Sequence, residues 1–218
     1  MRKKSKLDFL LAFIVISMLI SLFMTLFEAF KACGSQKGAL LFLALEIVLG
    51  TVVIVAPRLL AQKLHFYLPP VLYGLFLLFT YGAIYLGTIY HFYRIPYWDK
   101  GLHLISGALL AGFGLALYGL LVKSQSLPAL FVEIYVTAFA VFCGVLWEFY
   151  EFTCDSFGMN LQRYMKAGHL LLGRAALMDT MGDLLADFIG AVIFAVILGV
   201  QLKKDAGFME QFYFKKIK

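Results

Sequence analysis

Acidic side chains are scarce in this chain, thirteen in 218 residues, and charged residues of both signs reach only 15%. A soluble domain carries about 25% charged residues. A water-soluble fold of this size could not cover itself with so little charge, which excludes an ordinary cytosolic enzyme and a disordered chain. Cysteine is limited to Cys33, Cys143 and Cys154, whose spacing makes neither a metal motif nor a disulfide framework. A bridge between Cys33 and Cys154, both expected on the outer side, has no spacing argument behind it. The net charge of +6 raises the question of nucleic acid. The Lys and Arg sit in short connections and at both ends, with no basic stripe and no zinc-finger spacing, so nucleic acid is excluded as a partner.

What is abundant is apolar surface: 62% hydrophobic residues and a mean hydropathy of +0.88. Six apolar stretches, at about 8–30, 39–56, 70–90, 98–121, 129–152 and 178–201, are long enough to cross a bilayer, which takes about 20 helical residues. They lack dyad alternation, which argues for helices over a barrel. In lipid, helices also satisfy every backbone hydrogen bond within the segment. The first stretch is too long for a signal-peptide core and has no small-residue cleavage site after it, so it counts as a span. The expected fold is all-α: a single polytopic membrane helical bundle, residues 1–218, with about six transmembrane helices. The partner this implies is the lipid bilayer.

Lys and Arg set the orientation. With the N-terminus in the cytoplasm, twelve basic residues fall on the inner side and seven on the outer. That places the N- and C-termini in the cytoplasm. The longest connection, 156–177, mixes Tyr164, Met165 and Leu170 with Arg163, Lys166, His169 and Arg174. A short interfacial helix or a substrate lid suits that mixture.

The few acids are not spread evenly. Asp99, Glu148, Glu151, Asp155, Asp179, Asp183 and Asp187 fall in three windows. These are Trp98-Asp-Lys-Gly-Leu-His103, Trp147-Glu-Phe-Tyr-Glu-Phe-Thr-Cys-Asp155 and Asp179-Thr-Met-Gly-Asp-Leu-Leu-Ala-Asp187. They stand at the start of span four, the end of span five and the start of span six, and so on one side of the bilayer, the extracytoplasmic one. Within each window the spacing is helical: Asp99 with His103, Glu148 with Glu151, and Asp179, Asp183 and Asp187 at successive fourth positions. A carboxylate facing lipid costs about 2.5–3.5 kcal/mol near the bilayer centre, so the stripes should face one another or a wet cavity. Gly182, Ala186 and Gly190, with Ser106, Gly107, Ala111 and Gly114 on span four and Gly144 on span five, permit close helix approach.

So many carboxylates in one pocket need compensation. A hard divalent cation held by oxygens, protonation of some acids, or positive charge from Lys100, Arg163, Arg174 or His103 would each provide it. Asp99, His103, Glu148, Glu151, Asp179, Asp183 and Asp187 are the candidate metal ligands. His103, Glu148 and Asp183 are the candidate catalytic groups, with His103 able to ligate through a neutral imidazole or carry a proton. Asp155 is expected at the water boundary, solvated. Glu46, inside span two, either joins the pocket or pairs locally. Trp98 and Trp147 are expected as interfacial anchors.

The windows, together with Gly158-Met-Asn-Leu-Gln162, resemble the YjdF-like family of bacterial inner-membrane proteins, a family without an established activity. The resemblance implies the membrane architecture and a bacterial cytoplasmic-membrane location. It covers about the second half of the chain. More remotely, Asp99-Lys100 with His103 and the closing Asp183, Asp187 and Gly190 are similar to VanZ-like membrane proteins, linked with glycopeptide resistance, although Glu148 and Glu151 stand where those proteins carry Glu-x-x-Gln. Three readings follow: a metal-dependent membrane enzyme acting on a lipid or cell-envelope precursor, a cation- or proton-coupled transporter, or a structural assembly protein.

Overall fold

The computed structural model describes residues 6–122, 127–166, 168–205 and 207–216. The described chain runs α1 (Lys6–Lys31), α2 (Gly34–Lys63), β1 (Phe66–Tyr67), α3 (Pro70–Thr80), α4 (Trp98–Leu121), α5 (Ala129–Asp155), β2 (Met165–Lys166), β3 (His169–Leu170), α6 (Arg174–Leu202) and β4 (Lys215–Lys216). α3 passes directly into π-helical turns over Tyr81–Ile89. Among the described residues, six helices are long and apolar enough to cross a membrane, α3 counting with its π-helical extension. The all-α expectation is thus met. The helices leave large apolar side chains exposed along their length, among them Phe23, Val52, Phe149 and Leu185. Apolar surface this extensive needs lipid rather than water against it.

Two helices extend beyond the expected spans. α2 begins at Gly34 and continues past Pro57 to Lys63. A proline inside a membrane helix forfeits one backbone bond, which neighbouring groups can re-satisfy, so it need not end the helix. α6 begins at Arg174, a turn ahead of its apolar run.

The chain divides into two compact units, one of residues 1–98 with 214–218, the other of 99–213. In the first, α1 and α2 form a hairpin joined at Ala32 and Cys33. Its core is Ile14, Met18, Ile47, Ile54, Tyr73 and Leu77. Asp8 near the start of α1 pairs with Arg58 near the end of α2. The short β1 pairs antiparallel with β4. Glu46 lies half-buried in this unit.

The second unit contains α4, α5 and α6. Its buried residues are mostly small: Ala111, Ala116, Ala140, Ala191 and Ala195, with Leu115, Val132, Val136 and Leu198. Small side chains let helix backbones meet, and here they do. A Cβ added at Gly107 of α4 would lie 2.0 Å from the Asp187 carbonyl oxygen of α6, and one at Gly190 would lie 2.0 Å from the Leu104 carbonyl oxygen. These two glycines bring the α4 and α6 stripes together.

The connection from α5 to α6 is not an interfacial helix. It forms turns and the β2–β3 hairpin. Asn160 and Arg163 adopt left-handed backbone (φ 55° and 51°), as do Gly158, Gly168 and Gly173. Residues of that conformation at such short intervals interrupt any helix. Cys33, Cys143 and Cys154 are all free thiols.

Candidate functional site: a carboxylate, lysine and histidine cluster

The N-terminal end of α4, the C-terminal end of α5 and the N-terminal end of α6 supply the acidic windows, all within the second unit. At the centre is Asp183, 1% exposed. Its Oδ1 accepts a hydrogen bond from the Lys100 Nζ at 2.7 Å and lies 3.5 Å from His103 Nε2. Lys100 also donates to Asp179 Oδ1 at 2.6 Å and to the Asp179 carbonyl oxygen at 3.1 Å, and lies 3.7 Å from Asp99 Oδ2. One ammonium group thus faces three carboxylates. The other Asp99 oxygen lies 3.6 Å from Arg163.

His103 is buried between two aspartates. Its Nδ1 is 3.1 Å from Asp187 Oδ2. An ionised carboxylate only accepts hydrogen bonds, so with Asp187 ionised Nδ1 carries the proton there. Asp187, 2% exposed, is itself held at 2.6 Å by the Ser106 hydroxyl, which also lies 2.9 Å from the His103 carbonyl oxygen. The ring is therefore fixed from behind, and Nε2 faces the cluster. Among the described residues, one ligand atom from each of Asp99, His103 and Asp183 lies within 4.8 Å of the others. Hard cations take oxygen ligands at about 2.3–2.6 Å, so ligands on opposite sides of one ion stand roughly 4.6–5.2 Å apart. The triad fits that span. Two carboxylates and an imidazole suit a divalent transition-metal ion of the Mn²⁺, Fe²⁺ or Zn²⁺ kind rather than Ca²⁺, whose ligands are oxygens.

Glu148 of α5 is 4% exposed. Gln162 Nε2 donates to its Oε2 at 3.4 Å and to Thr180 Oγ1 at 3.0 Å, and Thr180 is itself placed to hydrogen-bond the Glu148 carboxylate, whose Oε1 makes no other hydrogen bond. A buried carboxylate oxygen with so little hydrogen bonding is costly. Glu148 is within electrostatic reach of His103 and Asp179. Glu151, partly buried, accepts from the Trp147 indole through Oε1 at 2.9 Å and is within electrostatic reach of Glu148, His103 and Asp183 without a hydrogen bond to them.

Asp155 corrects an expectation. It is 7% exposed rather than solvated, and it accepts the backbone N–H groups of Leu161 and, at 3.1 Å, Gln162. Asn160 closes the same loop by accepting from Met165 N at 2.9 Å. Together they seat Gln162 on Glu148. Of the seven candidate ligands, Asp99, His103 and Asp183 converge. Asp179 anchors Lys100, Asp187 anchors His103, and Glu148 faces Gln162. Sequence reasoning gave Ser106 only a part in close helix packing, and gave neither Thr180 nor Gln162 a part in the site. Ser106 had a usable signal, one turn after His103, and the other two sit inside recognised windows.

Residues 10–204 match the family described as predicted membrane protein (DUF2238). The chain belongs to that family. The YjdF-like resemblance thus holds at the level of a membrane family of unknown function. No curated protein and no solved structure matches the chain. Every residue of the cluster falls inside the DUF2238 match, as do α2 to α6 in full.

Proposed function

We propose that this DUF2238 protein is a metal-dependent membrane enzyme acting on a lipid or cell-envelope precursor, with Asp99, His103 and Asp183 holding a divalent cation. The observation that carries the reading is the convergence of those three ligand atoms within 4.8 Å around a histidine whose far nitrogen is already engaged by Asp187. Metal-bound histidines typically donate their other N–H to a carboxylate in this way. A bound divalent ion supplies polarisation of water or of a phosphoryl oxygen.

The protein's own groups have distinct parts in this scheme. Asp187 and Ser106 keep the His103 ring in one orientation. Asp179 holds Lys100. Glu148 presents a buried carboxylate oxygen able to take up and return a proton beside the ligands. Arg163, beside Asp99, offers a cation at the rim for an anionic headgroup. The excess of Lys and Arg on the side of the termini supports an extracytoplasmic opening. The YjdF-like and VanZ-like resemblances support a bacterial cytoplasmic membrane and an envelope substrate.

The test is metal analysis of purified wild type, D99A and D183A, paired with a growth phenotype for D183A and E148Q. The reading expects bound metal in wild type, loss in both Asp variants, and E148Q that keeps metal yet loses the phenotype. A wild type without metal in a replete preparation overturns it. Proton-coupled transport is the second reading, favoured by the unbroken line Asp183–His103–Asp187–Ser106 running into the unit. Labelling of a cysteine beside Asp187 from both membrane faces would support it, and labelling from one face alone would count against it.

A further inference from the structure

The Asp183 oxygen that a cation would take is already occupied. Lys100 Nζ lies 2.7 Å from Asp183 Oδ1, the same oxygen that faces His103 Nε2. An ammonium and a divalent ion cannot share that position, because two cations at ligand distance repel strongly with little water between them. Lys100 also has somewhere else to remain. It makes two further hydrogen bonds to Asp179, one to the carboxylate and one to the carbonyl oxygen. Asp179 Oδ2 is buried and has no hydrogen-bond partner. The Lys100 stem runs past Gly182, where an added Cβ would lie 3.0 Å from its Cε. The missing side chain leaves the lysine a track along α6.

We propose that Lys100 is an internal stand-in cation, and that divalent metal binds by exchange: the ammonium releases Asp183 and stays on Asp179 as the ion takes Asp99, His103 and Asp183. This rests on the cation-site reading above and adds to it a regulation of affinity by one lysine. The second, independent pointer to a ligand is Glu148, 4% exposed and within electrostatic reach of His103, whose Oε1 makes no hydrogen bond. The exchange makes Asp179 the lysine's seat and not a metal ligand. It also makes Lys100 different in kind from Arg163, which faces Asp99 at 3.6 Å from a more exposed position.

The experiment is Mn²⁺ titration of the full-length protein in detergent, followed by calorimetry. The variants are wild type, K100M, K100Q, R163M, D179N and K100M/D179N, each checked by thermal melting. K100M is expected to bind Mn²⁺ at least tenfold more tightly than wild type, with K100Q following it should K100M fail to fold. R163M should change affinity by less than threefold. D179N should weaken binding in the wild-type background, because the lysine loses its seat, yet leave K100M affinity unchanged in the double variant. Equal gains in K100M and R163M would reduce the effect to bulk charge and overturn the exchange. Weakening by D179N in the K100M background would make Asp179 a ligand and overturn it as well. Wild-type binding with no gain in either lysine variant rejects the exchange while leaving the cation site standing. No Mn²⁺ binding by wild type or by either lysine variant rejects the cation site itself.

Discussion

Gly107→Ala should dismantle the site without altering any polar side chain. The added Cβ would fall 2.0 Å from the Asp187 carbonyl oxygen, where ordinary contact begins at 3.4 Å. Both partners are helix backbone, so no rotamer change relieves the clash, and α6 must retreat by about 1.4 Å. His103 lies one turn earlier on α4, and its 3.1 Å contact with Asp187 would open past hydrogen-bonding range. Overpacking alone costs about 1–3 kcal/mol, and a lost hydrogen bond to a charged group adds about 1.5–3 kcal/mol. The two are not independent, so a total near 3 kcal/mol is expected, on the order of a hundredfold in the folded-to-unfolded ratio. Gly101 is the control on the same helix, since nothing lies within 4 Å of a Cβ added there. Reversible unfolding in mixed micelles, with Mn²⁺ binding measured alongside, reads both effects. G107A should lose stability and cation binding together while G101A keeps both. A G107A protein as stable as wild type that still binds Mn²⁺ would refute the close α4–α6 contact as the device that assembles the cluster.

Three further outcomes follow from the same geometry. Asp187→Ala should lower Mn²⁺ affinity by about 10–100-fold, the usual cost of removing the group that orients a metal-bound histidine, and unchanged affinity would show that the ring needs no such support. Glu151→Gln should leave metal content unaltered, because Glu151 bonds to Trp147 and not to the triad; loss of metal would widen the ligand set. Asp155→Ala should free the Leu161 and Gln162 backbone N–H groups at a cost of about 1–3 kcal/mol, seen as faster proteolysis between α5 and α6, and an equally protected loop would place its anchor elsewhere.

The helical class and the gathering of acids were legible because both are periodic, local properties. Apolar runs of membrane length show the spans, and Asp179, Asp183 and Asp187 at fourth positions share a face whatever they pack against. Partner choice was not legible, because it depends on contacts between residues far apart in sequence. Nothing in the Asp99-Lys100 pair shows that the lysine reaches Asp179 and Asp183, some eighty positions on. The spacing of His103 likewise cannot show which ring nitrogen meets Asp187. Asp155 was misplaced for a related reason. Its position at a helix end implied water, but the following turns fold back and bury it under their own N–H groups. The loop was misjudged because mixed apolar and basic composition suits an interfacial helix as well as a hairpin. The positive φ angles at Asn160 and Arg163, with those at Gly158, Gly168 and Gly173, and the β2–β3 pairing separate the two.

The central claim is that His103 is a metal ligand through Nε2. Electron spin echo modulation of Mn²⁺ bound to the purified protein reads directly whether an imidazole nitrogen is coordinated. The account predicts coupling to one nitrogen in wild type, abolished in H103A. Mn²⁺ bound with no nitrogen coupling, or with coupling that survives H103A, would contradict it.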